Sequence, residues 1–428
     1  MVLAGVLLFG ITLRMAVTAV SPLINQIGED IALSAAMIGL LGTLPTATFA
    51  VFGFMTPYVI RWASLETLLG IAIASAVLGQ IARAMVSDTV LFMILTVVAL
   101  AGLGAGNVLL PPLVKKYFPD KIGLLTALYS TSLAVGTALP PQFAVPVADA
   151  TGWRFSIGLW AVFSLVAAVP WITMGLERRR RPSPPDAGTQ EPAGGAAATA
   201  ADQGSEGQSP VDQPAAGQTV PPKAGAERLR INLWKSPLAL GLTLMFGCTS
   251  LQTYAMFAWL PQMLTEAGLS ASQAGSMLAL FGILGLPLSL MVPIFAARMR
   301  NPFPVVGVFL SCFVAGYIGL LLMPAEITWL WVVLVGLGPG TFPLALVLIN
   351  LRTRTHVGAG ALSGFGQGVG YALACSGPLL FGILEAETGS WVASFAFLGA
   401  TLVLLGGGAF IACKPIMLED GPGVVHET

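Results

Sequence analysis

Long runs of uncharged, mostly apolar residues dominate the chain. Two runs, 1–28 and 67–87, contain one arginine each, Arg14 and Arg83, and ten longer than 20 residues contain no Asp, Glu, Lys or Arg. The ten uncharged runs are 31–60, 89–114, 122–148, 155–176, 236–265, 267–297, 301–325, 327–351, 357–384 and 388–413. About 20 apolar residues cross the hydrocarbon core of a bilayer as a helix. The pattern therefore predicts an all-α membrane protein with twelve transmembrane helices. It excludes a membrane barrel, whose strands alternate apolar and polar residues.

The first run is expected to be a membrane span and not a cleaved signal peptide. Residues 1–28 form too long an apolar stretch, and Arg14 stands in its middle. No short basic segment precedes the stretch, as it would in a signal peptide. We therefore number it as span one.

Basic residues collect on one side of the predicted membrane protein. When loops are sorted by the side on which they fall, seventeen of the twenty Lys and Arg residues lie on the side of the chain termini. The opposite side or its margin holds only Arg83 and Arg154, together with many acidic residues. Cytoplasmic loops carry the excess of Lys and Arg. The asymmetry predicts that both termini are cytoplasmic.

The region between spans six and seven has a different composition. Residues 182–222 contain no Lys or Arg and are mostly Pro, Gly, Ala, Ser, Gln and Thr. Such a segment cannot bury a core and is expected to be disordered. It is interpreted as a passive tether, with a regulatory docking site as the alternative. The predicted organisation is an N-terminal six-helix bundle (1–176), a cytoplasmic linker (177–235), a C-terminal six-helix bundle (236–413) and a short cytoplasmic tail (414–428).

The two predicted bundles repeat each other. Matching residues recur at a nearly constant offset of 234 to 238 positions across several spans. Examples are the pairs Gly102/Gly336, Gly104/Gly338, Gly106/Gly340, Gly136/Gly370, Gly152/Gly389 and Trp153/Trp391. Chance matches are common in glycine-rich helices, but a constant offset is not. The chain is therefore predicted to consist of two six-helix pseudo-repeats.

Composition removes several function classes. Apolar residues make up 56% of the chain and charged residues 9%, whereas a soluble domain has about 25% charged residues. The formal net charge is zero, so a nucleic-acid partner is not expected. The four cysteines, Cys248, Cys312, Cys375 and Cys413, lie far apart in apolar runs and form no metal or disulfide pattern.

The glycine-rich runs do not form a nucleotide-binding motif. They lack the spacing and the strand–helix context of a GxGxxG loop, and no GxxxxGK[ST] sequence is present. The pairs Gly102/Gly106, Gly336/Gly340 and Gly366/Gly370 instead fit helix packing through small residues. No cofactor, metal site or catalytic residue is predicted.

Arg14 is the most informative residue, because it stands near the centre of span one. Burying a guanidinium at this depth costs roughly 3 kcal/mol or more. None of the twelve predicted runs contains an Asp or Glu to offset that cost. A planar fork of donors suits a small anion, and Thr18 and Ser21 share its helical face. The alternative is an arginine that reaches the interface or caps a broken helix.

Energy coupling through a titrating residue is not expected. Proton-coupled transporters often use a membrane Asp, Glu or His. The only histidines are His356, beside loop arginines, and His426, in the tail. Exchange or facilitated flux would need no such group.

Other polar residues in the spans are candidates for lining a cavity. Such residues usually point into the bundle, where they line a cavity or bond another helix. The positions are Asn107 in span four, Tyr129 in span five, Gln252, Tyr254 and Trp259 in span seven, and Gln367, which shares a face with Ser363 and Tyr371, in span eleven.

Several stretches resemble the cyanate permease and 2-nitroimidazole transporter branch of the major facilitator superfamily. They are Leu13-Arg14 with 19–23, 104–111 running into 115–119, 127–130, and 251–261. The resemblance implies a single-chain secondary transporter that works by alternating access, with its substrate site at midplane between the two halves. It also implies that Arg14, Asn107, Tyr129, Gln252 and Trp259 occupy family-patterned positions.

One departure from the superfamily lies between spans two and three. A Gly-x-x-x-Asp-Arg/Lys-x-Gly-Arg/Lys sequence is frequent there, but here Gly53 and Pro57 lead to Arg61 without the Asp or the second Gly. The usual charge lock of the cytoplasmic gate is therefore not expected. Arg61, Arg298 and Glu66 are candidates for a different one.

The sequence therefore predicts a transporter in the cytoplasmic membrane that moves a small anion or small polar solute, cyanate-like or nitroaromatic. It is expected to act as a monomer, with Arg14, Asn107, Tyr129, Gln252, Tyr254, Trp259 and Gln367 binding the substrate. A multidrug exporter is the nearest alternative, with Phe49, Trp259 and Phe365 lining a greasier cavity. A membrane enzyme is disfavoured because no nucleophile or metal constellation is present. A channel or a non-transporting sensor stays open.

Overall fold

A computed structural model describes residues 1–59, 63–118, 122–180, 229–422 and 424–426. The helices of the first half are α1 (Val2–Thr18), α2 (Ile24–Asp30), α3 (Ala35–Val59), α4 (Leu65–Met85), α5 (Thr89–Tyr117), α6 (Ile122–Thr151) and α7 (Trp153–Arg180). Those of the second half are α8 (Pro237–Glu266), α9 (Ala271–Ile283), α10 (Gly285–Ala297), α11 (Phe303–Leu322), α12 (Thr328–Leu337), α13 (Thr341–Leu351), α14 (His356–Ala374), α15 (Ser376–Thr388) and α16 (Trp391–Ala412). Two short strands, β1 (Leu229–Ile231) and β2 (Val424–His426), pair antiparallel.

These helices form the twelve predicted spans. Ten segments of the described residues are long and apolar enough to cross a membrane, and the first runs over Val2–Asp30. Helices α6 and α8, with 30 residues each, are long enough to complete the twelve. The twelve-helix fold and the reading of residues 1–28 as the first span are confirmed.

Four spans are built from two helices with a break between them. Span one breaks around the 3-10 turn Ser21–Leu23, and span ten breaks at the 3-10 turn Gly338–Gly340. Each turn contains a proline, which lacks the N–H that would continue the helical bonds. Spans eight and eleven break at Leu284 and Cys375. Such breaks are points at which a span can bend.

The two halves pack internally and meet through repeat-related helices. In the first half α1 packs against α6 and α7, and α4 packs against α5; in the second half α8 packs against α14 and α16. Between the halves, α3 contacts α14 and α15, and α6 contacts α9. Spans two and eight are repeat equivalents, as are spans five and eleven, so the two contacts are related by the internal repeat.

The repeat also appears in two tryptophan contacts on one face of the protein. The indole nitrogen of Trp153 donates to Asp30 at 2.9 Å, and that of Trp391 donates to Glu266 at 2.9 Å. Each tryptophan follows a turn with a glycine at positive φ, Gly152 or its equivalent in the second half. The face that carries these pairs is called the distal face below, and the face that carries the chain termini is called the terminal face.

Two of the three predicted glycine pairs, Gly102/Gly106 and Gly336/Gly340, serve close helix packing, whereas at Gly366 of the third pair a side chain would make only ordinary contacts. A Cβ on Gly102 would collide with the carbonyl oxygen of Ala72, and one on Gly106 would collide with the ring of Phe9. In the second half, a side chain on Gly340 would meet the ring of Phe309.

Arg83 lies in the last turn of α4, at the distal margin to which the loop count assigns it. Its side chain is completely buried there. The predicted disordered linker 182–222, together with Arg61, lies outside the described residues. The domain boundaries and the cytoplasmic position of the termini stay predictions.

Candidate substrate site between the two halves

Arg14 is held in a cluster of aromatic rings where the halves meet. Its guanidinium carbon lies 5.1 Å from the ring centroid of Phe49 on α3 and 5.3 Å from that of Tyr254 on α8. The side chain of Tyr371 on α14 also lies close to the guanidinium. Four helices, two from each half, therefore converge on one cation.

The cluster stabilises the cation without neutralising it. A guanidinium over an aromatic face gains about 0.5 to 2 kcal/mol, more when water is excluded. None of the described residues gives Arg14 a carboxylate partner. An arginine side chain does not deprotonate in proteins. The site between the halves thus keeps a net positive charge.

The rings around Arg14 form a continuous wall. Phe49 and Tyr371 meet edge to face, with centroids 5.6 Å apart. Tyr371 continues to Phe246 at 5.0 Å, and Tyr254 continues to Phe257 at 5.7 Å. Edge-to-face pairs fix ring orientation, so the wall presents faces and phenol groups in set directions.

Three of the predicted site residues come together here. Tyr254 contacts Arg14 directly, and Tyr129 on α6 is an electrostatic neighbour of Tyr371. Tyr129 also packs beside α1, since its Cβ lies close to where a side chain on Gly10 would project. Arg14, Tyr129 and Tyr254 therefore belong to one cluster.

Gln252 lies elsewhere. It is completely buried within the second half. Its amide nitrogen donates to the carbonyl of Leu398 at 3.0 Å and to the hydroxyl of Thr401 at 2.9 Å, and its amide oxygen accepts from Tyr317 at 2.7 Å. The side chain joins α8 to α11 and α16, which is the helix-bonding alternative for a polar residue in a span.

Trp259 is also occupied by packing in the second half. Its indole nitrogen donates to the carbonyl of Pro378 at 2.8 Å, and the residue is completely buried. A Cβ on Gly382 would collide with its ring. Trp259 thereby fixes α15 against α8 and does not contact Arg14.

Asn107 and Gln367 lie on helices that flank the cluster. Asn107 is half-buried on α5, without a hydrogen-bond partner among the described residues. The amide nitrogen of Gln367 donates to the hydroxyl of Ser363 at 2.8 Å. Gln367 precedes Tyr371 by one helical turn on α14, on the side of the terminal face.

Helices of the two halves contact each other between Arg14 and the distal face. The hydroxyl of Thr43 donates to the carbonyl oxygen of Cys375 at 3.0 Å, and that of Thr46 donates to the Cys375 sulfur at 3.4 Å. A side chain on Gly42 would lie 2.6 Å from the Cβ of Ala258. Spans two and eleven are therefore in direct contact on the distal side of the aromatic cluster.

A family model described as Major Facilitator Superfamily matches residues 6–375. The chain belongs to the major facilitator superfamily. It is a multi-pass transporter of the cell membrane, with a small-molecule substrate, and it is not an enzyme.

Curated relatives place this transporter in the branch that its sequence resembles. The 2-nitroimidazole transporter of Escherichia coli is 31% identical over 406 residues, covering 94% of this chain and 92% of the relative. The uncharacterized transporter YycB of Bacillus subtilis is 29% identical over 408 residues, with 94% and 91% covered. The cyanate transport protein CynX of Escherichia coli is 24% identical over 395 residues, covering 91% of each chain.

Solved structures share the fold. A bacterial homolog of the human lysosomal transporter Spinster, in an inward-facing and occupied conformation, superposes with a TM-score of 0.70 at 14% identity, covering 98% of this chain and 97% of that one. A D-xylose–proton symporter superposes with a TM-score of 0.67 at 13% identity, covering 99% and 97%.

Two residues of the cluster around Arg14, Tyr371 and Phe49, are not among the substrate-binding residues predicted from the sequence. Tyr371 shares the polar face of span eleven with Gln367 but is not among the predicted site residues, and Phe49 is predicted only for the exporter alternative. The signal for Tyr371 was its spacing of one turn from Gln367. Phe49 carried no signal, since phenylalanine is common in these spans.

Glu66 forms a contact within the first half. It accepts from the ammonium of Lys116 at 2.6 Å and from the hydroxyl of Tyr117. The pair joins the start of α4 to the end of α5. Arg298, another candidate for the gate, is exposed.

Proposed function

We propose that this superfamily member carries a small anion or a small polar solute by alternating access, with Arg14 as the substrate-binding cation. The observation that carries the proposal is a guanidinium held by Phe49 and Tyr254 without a carboxylate partner among the described residues. An anion would neutralise the site at the moment of binding. The substrate itself is then the missing counter-charge.

The chemistry of the cluster fits two kinds of substrate. A planar fork of N–H donors matches a carboxylate-like or linear anion. The rings and phenols beside it match a flat aromatic solute with a polar group, such as a nitro group, at one edge. Relatives named for cyanate and for 2-nitroimidazole transport fall into these two classes.

Tyr129 and Tyr371 complete the proposed site with hydroxyl groups, and Tyr254 completes it with its ring. Asn107 and Gln367 border it towards the terminal face, where a departing substrate would meet them. Gln252 and Trp259 act in this proposal as supports for α8, which carries Tyr254. The transporter would act as a monomer, with both termini in the cytoplasm.

The exporter alternative is less well supported by the contacts. Of its three aromatic residues, only Phe49 lies beside Arg14. Trp259 is bonded to Pro378, and Phe365 meets Trp234 with ring centroids 4.8 Å apart. The rings of Phe49, Trp259 and Phe365 therefore do not line one apolar cavity.

A thermal-shift experiment on the purified protein tests the proposal. Ligands that bind the folded state raise its melting temperature. Nitrate, cyanate and 2-nitroimidazole are compared on wild type, Arg14→Gln and the control Arg300→Gln, which removes an exposed arginine of the terminal face. We expect stabilisation of wild type and of the control, but not of Arg14→Gln. A neutral drug is added as a fourth ligand, and its equal stabilisation of wild type and Arg14→Gln would contradict the proposal and support the exporter.

A further inference from the structure

Arg83 is a second cationic side chain in the membrane interior, and it is even more deeply buried than Arg14. It stands near the distal end of α4 and is completely inaccessible to solvent. One terminal nitrogen donates to the backbone carbonyl of Ala16 at 3.3 Å. Its Nε and the other terminal nitrogen have no hydrogen-bond partner among the described residues.

The same chain shows how a structural buried arginine is satisfied. Arg352, nearly as buried, donates from Nε to the carbonyl of Ala412 and from one terminal nitrogen to the carbonyls of Cys413 at 2.8 Å and Arg300 at 3.2 Å. Arg83 has one such carbonyl. Leaving a buried donor unpaired costs about 1 to 3 kcal/mol, and more when the donor is charged.

Arg83 forms part of the wall of a cavity of about 40 Å³ between the halves. Helices α1, α3, α4, α5 and α8 and the 3-10 turn after α1 surround this space. The wall is apolar except for Arg83, Ser21, Thr96 and Tyr254. The hydroxyls of Ser21 and Tyr254 are buried and have no partner among the described residues, whereas Thr96 already donates to the carbonyl of Phe92.

The wall of the cavity contains unpaired hydrogen-bond donors and, in the part of the chain that the structure describes, no carboxylate. These two features define the charge and the chemistry of the ligand that the cavity can bind. The guanidinium supplies N–H donors with a full positive charge, and the two hydroxyls supply further donors. A water molecule needs about 10 to 15 Å³ measured in the same way. The cavity therefore accepts a body of about three water-sized units, the size of a monovalent anion with three or four heavy atoms.

We propose that Arg83, Ser21 and Tyr254 form a second anion-binding site, separate from Arg14 and closer to the distal face. Its ligand is a small monovalent oxyanion or pseudohalide, of which formate, nitrate and cyanate are examples. A dianion is excluded because one cation faces the cavity. A flat aromatic solute is excluded by size.

Tyr254 connects this site with the Arg14 cluster. Its ring lies within 5.3 Å of the Arg14 guanidinium, the residue lines the Arg83 cavity, and its hydroxyl is buried without a partner among the described residues. Ser21 follows Arg14 by seven residues, which is about 10 Å along a helical axis. An anion entering from the distal face would meet Arg83 first and Arg14 second. The role of the Arg83 site as an intermediate binding site on the route to Arg14 rests on the proposed function. Binding of an anion at Arg83 does not.

Equilibrium binding of radiolabelled formate to the purified full-length protein, by scintillation proximity, tests the proposal. We expect two formate sites in wild type, one in Arg83→Gln and one in Arg14→Gln. Unlabelled nitrate should displace formate from both, and benzoate should not displace it from the Arg83 site. Arg300→Gln is the control and should keep both sites.

Ser21→Ala is the second variant, because Arg83→Gln removes a deeply buried group and can impair folding. It leaves the guanidinium and its bond to Ala16 in place. Loss of one hydroxyl contact to the bound anion should weaken the Arg83 site about threefold to tenfold without changing the Arg14 site.

Two results would overturn the proposal. One is a folded Arg83→Gln protein that binds as much formate as wild type, in which case Arg83 is a brace for α1. The other is an unchanged formate affinity in Ser21→Ala, which would mean that water fills the cavity. Loss of binding in Arg83→Gln alone, with Arg14→Gln unchanged from wild type, would support this site while contradicting the proposed function at Arg14.

Discussion

The guanidinium of Arg14 lies over the ring of Tyr254, 5.3 Å from its centroid, across the boundary between the two halves of the transporter. Arg14 belongs to the first half, as does Phe49, whose ring centroid lies 5.1 Å from the guanidinium carbon and 6.4 Å from the centroid of Tyr254. Tyr254 and Tyr371 belong to the second half. In the proposed alternating-access cycle the halves move relative to each other, so the partners of the cation would change. The proposal therefore couples substrate binding to the position of the halves at this contact.

Removing the Tyr254 ring is expected to weaken substrate binding at Arg14. A cation–π contact contributes about 0.5 to 2 kcal/mol, so Tyr254→Ala should lower the affinity about threefold to thirtyfold. Tyr254→Phe keeps the ring and should stay within about twofold of wild type at Arg14. Affinity is read from the dependence of the melting temperature on 2-nitroimidazole concentration. Equal affinities for Tyr254→Ala and wild type would contradict the role of the ring.

Gln252 is expected to affect stability and not substrate affinity. Gln252→Met keeps the volume but leaves the hydroxyl of Tyr317 without its partner and removes the bonds to Leu398 and Thr401. Each lost buried hydrogen bond costs about 1 to 3 kcal/mol. The melting temperature without ligand should fall, while the affinity for 2-nitroimidazole should not change. A variant with normal stability and lost affinity for 2-nitroimidazole would show that Gln252 is part of the binding site.

A disulfide is expected to form between spans two and eleven in Thr46→Cys. The Thr46 hydroxyl lies 3.4 Å from the sulfur of the native Cys375, close enough for a disulfide after a small shift. Oxidation should keep the two halves together on a non-reducing gel after cleavage at a protease site inserted in the linker. Transport should stop and return with dithiothreitol.

Thr48→Cys is the matched control for the cross-link, since Thr48 bonds only to the carbonyl of Pro45 in its own helix. It should not cross-link. A failure of Thr46→Cys to cross-link, or full transport by the cross-linked protein, would contradict the distal contact between the halves.

Glu419 in the tail is expected to make local stability depend on pH. Burial raises the pKa of this carboxyl, but bonds from the backbone N–H groups of Arg354 and Thr355 and from the Thr355 hydroxyl lower it, and the net pKa lies below its ordinary value. A lowered folded-state pKa stabilises the protein above the unfolded-state value, and this stabilisation is lost as pH falls through the folded-state value.

Hydrogen exchange at the amides of Arg354 and Thr355 measures this effect. Protection should be full at neutral pH and decrease as the pH falls below about 4. Glu419→Gln should lower the protection at neutral pH and remove most of the pH dependence. The same pH dependence in Glu419→Gln would show that another group is responsible.

The fold was largely predictable because the sequence pattern itself shows the features that determine it. Uncharged runs define membrane spans, and the offset between Trp153 and Trp391 reports two loops with the same tryptophan–carboxylate contact. Arg14 was predictable as well, since a charge in an apolar run is costly wherever the helix points.

The partners of each side chain were not predictable in the same way. Gln252 and Tyr254 are two residues apart on α8 and point to different neighbours, one into the second half and one towards Arg14. Helical spacing gives the angle between them but not which helix each one faces. The burial of Arg83 was not predictable for the same reason, because the run 67–87 gives its position along span three but not which helices cover its side chain.

Counterflow in proteoliposomes tests the central claim most directly, because acceleration of uptake by substrate on the far side requires a carrier. Vesicles loaded with unlabelled 2-nitroimidazole or cyanate are assayed for uptake of the labelled compound by wild type, Arg14→Gln and Arg300→Gln. We predict accelerated uptake of at least one of the two compounds by wild type and Arg300→Gln, and no acceleration by Arg14→Gln. Undiminished counterflow in Arg14→Gln, or uptake by wild type that loading does not accelerate, would contradict an arginine-centred carrier.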